Sequence, residues 1–166
     1  MTQRPKSGAR SKVVVIGLDG ATFDLLTPWL EQGHLPTLNR LLQDGVHGPL
    51  QSTLPPLSPQ AWTSFMTGKN PGKHGIFEFT DLKPNSYELC FNNAASRRGK
   101  SLWRLLSDQG KRVGVINVPM TYPPEEVNGF LVSGFEAPGV HSNFAYPPDL
   151  YDKVKRDFGE YDMQDE

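Results

Sequence analysis

The run Val13-Val-Val-Ile-Gly-Leu18 narrows the folds open to this chain more than any other stretch. It is almost wholly apolar, rich in β-branched side chains, and it ends in Asp19-Gly20. Such a run predicts a strand buried on both faces, as in a parallel sheet covered by helices. Asp19 then stands just past the strand's C-terminal end, the side on which ligands bind in open α/β sheets. A second apolar run, Val113 to Val118, follows a helix-like segment and repeats the format. Together they predict an α/β fold with a mostly parallel sheet flanked by helices.

The rest of the chain alternates accordingly. Ala21 to Leu30 places Phe23, Leu26 and Leu30 at near-helical spacing, with Pro28 as a late start or a break. Pro36 to Asp44 is the clearest helix, apolar at threes and fours and closed by Gly45. Val46 to Leu54 reads as a short strand that delivers the stiff Pro55-Pro56 approach to Ser58. Tyr87, Leu89 and Phe91 alternate with polar neighbours, which predicts a surface hairpin with Pro84-Asn85 in its turn. Ser101 to Gly110 reads as a capped helix with Leu102, Leu105 and Leu106 facing inward. Gly129 to Phe135 is a further short strand, and a proline-led helix follows Pro147. Residues 1–11 read as a disordered lead-in and Glu160 to Glu166 as a frayed acidic end, which leaves 12–166 as one domain.

Ser58-Pro59-Gln-Ala-Trp-Thr-Ser-Phe-Met, closed by Gly68, reads as a helix with Ser58 at its N-cap and Pro59 in its first turn. Capping is the commonest job of a serine there. The same position also sets the hydroxyl against unpaired N–H groups and the positive end of the helix dipole, where an alkoxide or phosphate oxygen is stabilised. An acid at a strand tip and a serine at a helix start together suit a nucleophile activated by a metal ion.

The segments VVVIGLDGATFDLL and STLPPLSPQAWTSFMTGKNPGKHGI resemble the N-terminal part of the type I phosphodiesterase/nucleotide pyrophosphatase group in the alkaline phosphatase superfamily. The similarity covers most of residues 12–80, and Thr67-Gly-x-x-Pro-x-x-His-Gly-Ile76 is its most specific part. The resemblance implies an alkaline-phosphatase-like fold, two divalent metal ions, usually zinc, and a transiently phosphorylated Thr or Ser. Asp19 matches the first metal-ligand aspartate, and Ser58 matches the nucleophile, which also meets the metal. The implied substrate is a small phosphorylated molecule.

Two departures qualify this. Nucleotide-cleaving members carry an asparagine three residues after the His-Gly-Ile, where this chain has Phe79, so a nucleotide substrate is disfavoured. Asn92 and Asn93 are candidate replacements for that polar contact. The remaining ligands of the group lie in Asp-x-x-x-His and Asp-His pieces, and none of these surrounds His34, His47, His74 or His141. The resemblance therefore implies an N-terminal portion that lacks most metal ligands and is inactive alone. A non-catalytic binding module of the same fold is the alternative. A sulfatase-like hydrolase fits less well, because its nucleophile is followed by x-Pro-Ser-Arg, unlike Ser58-Pro-Gln-Ala.

Other polar residues carry plainer readings. Gly68-Lys-Asn-Pro-Gly72-Lys73 has three residues between its glycines and His74 after the lysine, so it is not a nucleotide-binding P-loop. Lys69 and Lys73 read as a solvated turn, and His74 as fixing that turn through its ring. Arg97, Arg98 and Lys100 read as solvated surface, while Asn117 and Thr121 lie near a strand exit. With 17 Lys plus Arg against 18 Asp plus Glu, the net charge of −1 gives no general pull toward nucleic acid or anionic membrane. The single Cys90 suits a reducing compartment, and no apolar run has membrane-spanning length, so the expected location is cytoplasmic.

Overall fold

The computed structural model describes residues 12–134, 136–139 and 143–160, so the lead-in, Phe135, His141 and the last six residues lie outside the described set. The chain divides into two compact units, Met1–Leu50 and Gln51–Glu166.

The first unit is a pair of helices, α1 (Phe23–Glu31) and α2 (Pro36–Asp44). Thr22 caps α1 by accepting from the Leu25 amide at 3.4 Å. Pro28 does not break α1, which runs through it and ends with the Gln32 amide on the Pro28 carbonyl at 3.1 Å. Pro36 opens α2 from its first turn, where its missing N–H costs nothing. Neither helix buries a residue.

Here two expectations fail. Val13 to Leu18 is not a strand, and its large apolar side chains are 63–84% exposed. Val46 to Leu50 is likewise outside any strand and exposed, as is Gln51 to Leu54 at the start of the second unit apart from the half-buried Thr53. A β-branched run states a preference for extended backbone, but a strand exists only where a neighbour takes up its N–H and C=O groups.

The second unit holds α3 (Ser58–Thr67), α4 (Pro71–His74), β1 (Thr80–Leu82), β2 (Leu89–Phe91), α5 (Leu102–Asp108), β3 (Val113–Val118), β4 (Gly129–Ser133), β5 (Ala145–Tyr146) and α6 (Leu150–Phe158). β1 and β2 form the expected antiparallel hairpin, with Asn85 taking the positive φ of its turn. β3 and β4 pair in parallel and β5 joins β4 antiparallel, giving the order β3-β4-β5. The chain thus has α/β character, but its sheets are small and mixed, not the larger mostly parallel sheet that the pattern predicts.

The core gathers Met66 of α3, Ile76, Trp103 of α5, Val115 of β3, Met120, Val127 and Leu131 of β4. A smaller cluster joins Ala137, Phe144 and Ala145 to Leu150 and Tyr151 at the start of α6. α5 faces this core opposite to expectation: Trp103 is buried, while Leu102, Leu105 and Leu106 are 38–48% exposed. Trp103 offers more apolar area than a leucine and its indole N–H finds a partner in the half-buried Glu125, so it decides which face of the helix turns inward. The helix back is then held by Ser107, whose hydroxyl donates to the Trp103 carbonyl at 2.7 Å and accepts from the Asn128 amide at 3.0 Å.

Candidate functional site

Ser58 is half-buried and is the first residue of α3, with Pro59 second. The cap is Leu57, not Ser58: the first helical bond runs from the Ala61 amide to the Leu57 carbonyl at 2.9 Å, and no side chain caps the helix. The hydroxyl therefore rides inside the first turn, at the end where backbone N–H groups lack helical acceptors and the dipole favours negative charge. Gly68 closes the helix in the left-handed conformation at φ 64°, as a glycine there permits.

With no side-chain cap, the first turn of α3 is held from its buried flank. Gln60 is 2% exposed and donates from Nε2 to the Phe77 carbonyl at 2.8 Å. One turn further on, the Ser64 hydroxyl lies 3.0 Å from Nε2 of His74. The other ring nitrogen, Nδ1, accepts the Ile76 amide at 3.1 Å. A nitrogen that accepts carries no proton, so neutral His74 has its proton on Nε2 and donates it to Ser64. His74 is consequently not a general base for a serine, and it fixes the turn through both ring nitrogens. Burial holds its pKa below the ordinary 6.5, the Lys69 charge adds to this, and the Gln60 backbone opposes it.

Several residues singled out in the sequence turn out to be structural. Phe79 packs against the core. Asn92 donates from Nδ2 to the Glu78 carbonyl at 2.9 Å, and Asn93 accepts the Ala95 amide at 2.9 Å, so both shape the loop. Lys100 pairs with Asp108 at 2.6 Å. Thr121 is buried at the β3 exit, donating to the Val118 carbonyl and accepting the Gly134 amide at 3.0 Å. Asn117 and Met120 take positive φ, 53° and 63°, in the same exit.

Arg97 corrects the reading of a solvated basic cluster. Its side chain is 4% exposed and ion-paired with Glu125, while Nη1 donates to the Met120 carbonyl at 3.3 Å. The Trp103 indole donates to the same Glu125 oxygen at 2.6 Å. Neither this pair nor the buried Gln60 left a signal in the sequence, since an Arg-Arg dipeptide and a helical glutamine are ordinary surface features.

Asp19 lies in the first unit, in the turn before α1, with Gly20 at φ 68°. It lines an apolar groove between α1 and α2, together with Leu25, Leu26, Trp29, His34 and Leu38. His34 bonds to Gln32 at 3.1 Å, and the His47 ring lies 6.1 Å from that of Phe23. Among the described residues, no three His, Cys, Asp or Glu side chains gather where they would hold an ion. Zinc takes four such donors, or three and a water, so these residues do not fit a divalent-metal centre.

No helix of the described residues is long and apolar enough to cross a membrane. No curated protein and no solved structure matches the chain. The family model of type I phosphodiesterase / nucleotide pyrophosphatase matches residues 13–165, which takes in Asp19, Ser58, the α3–α4 turn and both sheets. Phosphoester hydrolysis is the chemistry of that group, and a match over nearly the whole chain places this protein within it: the chain belongs to the type I phosphodiesterase/nucleotide pyrophosphatase family.

Proposed function

We propose that this chain, residues 12–166 of an alkaline-phosphatase-like catalytic domain, supplies the nucleophile of a metal-dependent phosphoester hydrolase. The observation that carries the reading is Ser58 inside the first turn of a proline-started helix, half-buried, within the family match. Ser58 Oγ attacks phosphorus in line, a P–O bond forms, and the bond to the leaving alcohol breaks as that oxygen gains a proton. Water then attacks the phosphoserine, releasing a phosphate or phosphomonoester and restoring the hydroxyl. The positive end of α3 favours the charge that builds on the non-bridging oxygens.

Two divalent ions, zinc by resemblance and with Asp19 and Ser58 among their ligands, belong to this reading. The resemblance carries the reading that the chain alone is inactive, since the Asp-x-x-x-His and Asp-His pieces of the group do not occur in its sequence. The substrate is a small phosphorylated molecule and not a nucleic-acid polymer or a membrane, in keeping with a net charge of −1. A reducing, cytoplasmic setting accords with the free Cys90.

The test of the serine uses a full catalytic polypeptide carrying this sequence. A phosphodiester substrate is expected to leave its phosphoryl group, still esterified to one alcohol, on the peptide containing Ser58, and Ser58→Ala is expected to abolish both that label and turnover. Turnover retained by Ser58→Ala would dismiss the role. Zinc titration of the 166-residue chain is a separate check, expected to show no pair of tight sites. Two tight sites per chain would mean that the missing donors are present after all. The second reading, a non-catalytic module of the same fold, is favoured by the lack of a three-donor cluster among the described residues. It would be upheld if the full polypeptide bound phosphorylated ligands without ever forming phosphoserine.

A further inference from the structure

No side-chain bond from the Leu57 cap holds the start of α3, and two side-chain hydrogen bonds tie the buried flank of the helix to residues 74–77. Gln60 reaches the Phe77 carbonyl, and Ser64 meets the His74 ring. The same ring holds the Ile76 amide, so one imidazole ties the turn after α4 to itself and to α3 at once. The ring is fully buried.

We propose that His74 is a positioning residue for Ser58: as the neutral ring protonated at Nε2 it latches residues 74–77 to the inner face of α3, and a proton on Nδ1 releases the latch. The chemistry is that of donor and acceptor. Nδ1 holds the Ile76 amide only while its lone pair is free, and protonation turns that nitrogen into a second donor pointed at an N–H. The charge created is also buried, where it is costly without a counter-ion.

The charged groups near the ring offer none. Lys69, one residue past Gly68, adds positive potential at the imidazole. Arg98 lays its side chain beside Gly75 and its amide bonds to the His74 carbonyl at 2.8 Å. Lys73 precedes the ring in α4. Among the described residues none of these three cations forms a salt bridge, and no carboxylate is found facing the ring. The sign of the pH effect follows. The folded-state pKa lies below the ordinary 6.5, so stability from the neutral ring is complete above 6.5 and is lost as the pH falls below it.

The proposal takes its interest from the role given to Ser58 above, but its test needs no turnover, so either can fail without the other. In the 15N-labelled chain at neutral pH, long-range proton–nitrogen spectra are expected to show His74 protonated at Nε2 and bare at Nδ1. On titration toward about pH 5, the protection factors of Ile76 and Ala61 are expected to fall at least about tenfold with the midpoint of the His74 ring. The Ser58 Cβ resonance is expected to shift with that same midpoint. His74→Gln presents an acceptor and a donor without titrating, so its profile is expected to stay flat. A ring protonated at Nδ1 at neutral pH, a Ser58 resonance that ignores the ring, or the same profile in His74→Gln would each overturn the proposal. Should His74→Gln fail to fold, Ser64→Ala removes the ring's own bond to α3 and leaves the Gln60–Phe77 bond in place. Ile76 should then still follow the ring while the Ser58 shift is reduced, and an undiminished Ser58 shift would overturn the proposal.

Discussion

Glu125→Ala is expected to cost about 3–5 kcal/mol of folding stability, enough to unfold much of the population. The carboxylate does two jobs with one oxygen, pairing with the Arg97 guanidinium and accepting the Trp103 indole at 2.6 Å. Its loss strands a guanidinium whose side chain is 4% exposed and whose Nε has no hydrogen-bond partner among the described residues. A buried charge left alone costs far more than the pair it came from gains. Arg97→Met is therefore expected to be milder, because the Glu125 side chain is 22% exposed and can be hydrated. The double variant Arg97→Met with Glu125→Leu is expected to recover most of the loss, since removing both charges removes the desolvation penalty as well. Urea denaturation of the four proteins measures all three differences. A Glu125→Ala protein within about 0.5 kcal/mol of wild type, the range of an ordinary surface substitution, would show that Arg97 is not held in this way.

Gly129→Ala is expected to be as damaging by a different route. Gly129 opens β4 opposite Val113 of β3, at φ 147°, a conformation that L side chains rarely adopt. A Cβ there would stand 1.9 Å from the Val113 carbonyl oxygen and 3.0 Å from its carbon. Those are backbone atoms of the paired strand, so no rotamer change relieves the overlap. Strained backbone alone costs on the order of 1–3 kcal/mol, and the clash adds the loss of the first parallel pairing. Gly68→Ala is the control: φ is 64° and nothing lies within 4 Å of the new Cβ. It is expected to cost only about 1 kcal/mol, the ordinary penalty for a left-handed alanine. Thermal melts of the two would separate them, and equal losses would mean that the β3–β4 register is not what Gly129 protects.

Much of the local structure was legible because local rules dictate it. Pro36 and Gly45 bracket α2, Ser58-Pro59 and Gly68 bracket α3, and Pro84-Asn85 sits in the hairpin turn, all as short-range propensity demands. His74 was also read correctly as a turn-fixing residue, although only the structure shows that its second nitrogen reaches α3. The misplaced helix start, by one residue at Leu57, reflects how little separates a cap from a first-turn position.

What depended on distant partners was not legible. Val13 to Leu18 has a strand's composition and no strand, because pairing is a property of two segments and composition belongs to one. The inward face of α5 was misassigned to three leucines because the deciding contact, Trp103 with Glu125, spans 22 residues. Arg97 was taken for solvent-facing for the same reason, its counter-ion lying beyond the reach of any local pattern. The amino acids alone placed most turns and helices to within a few residues, and they carried the family and its hydrolytic chemistry. Folding in three dimensions settled which side chains lose their water, and that choice, made by the long-range partners available to each polar group, sets both the core and the support beneath Ser58.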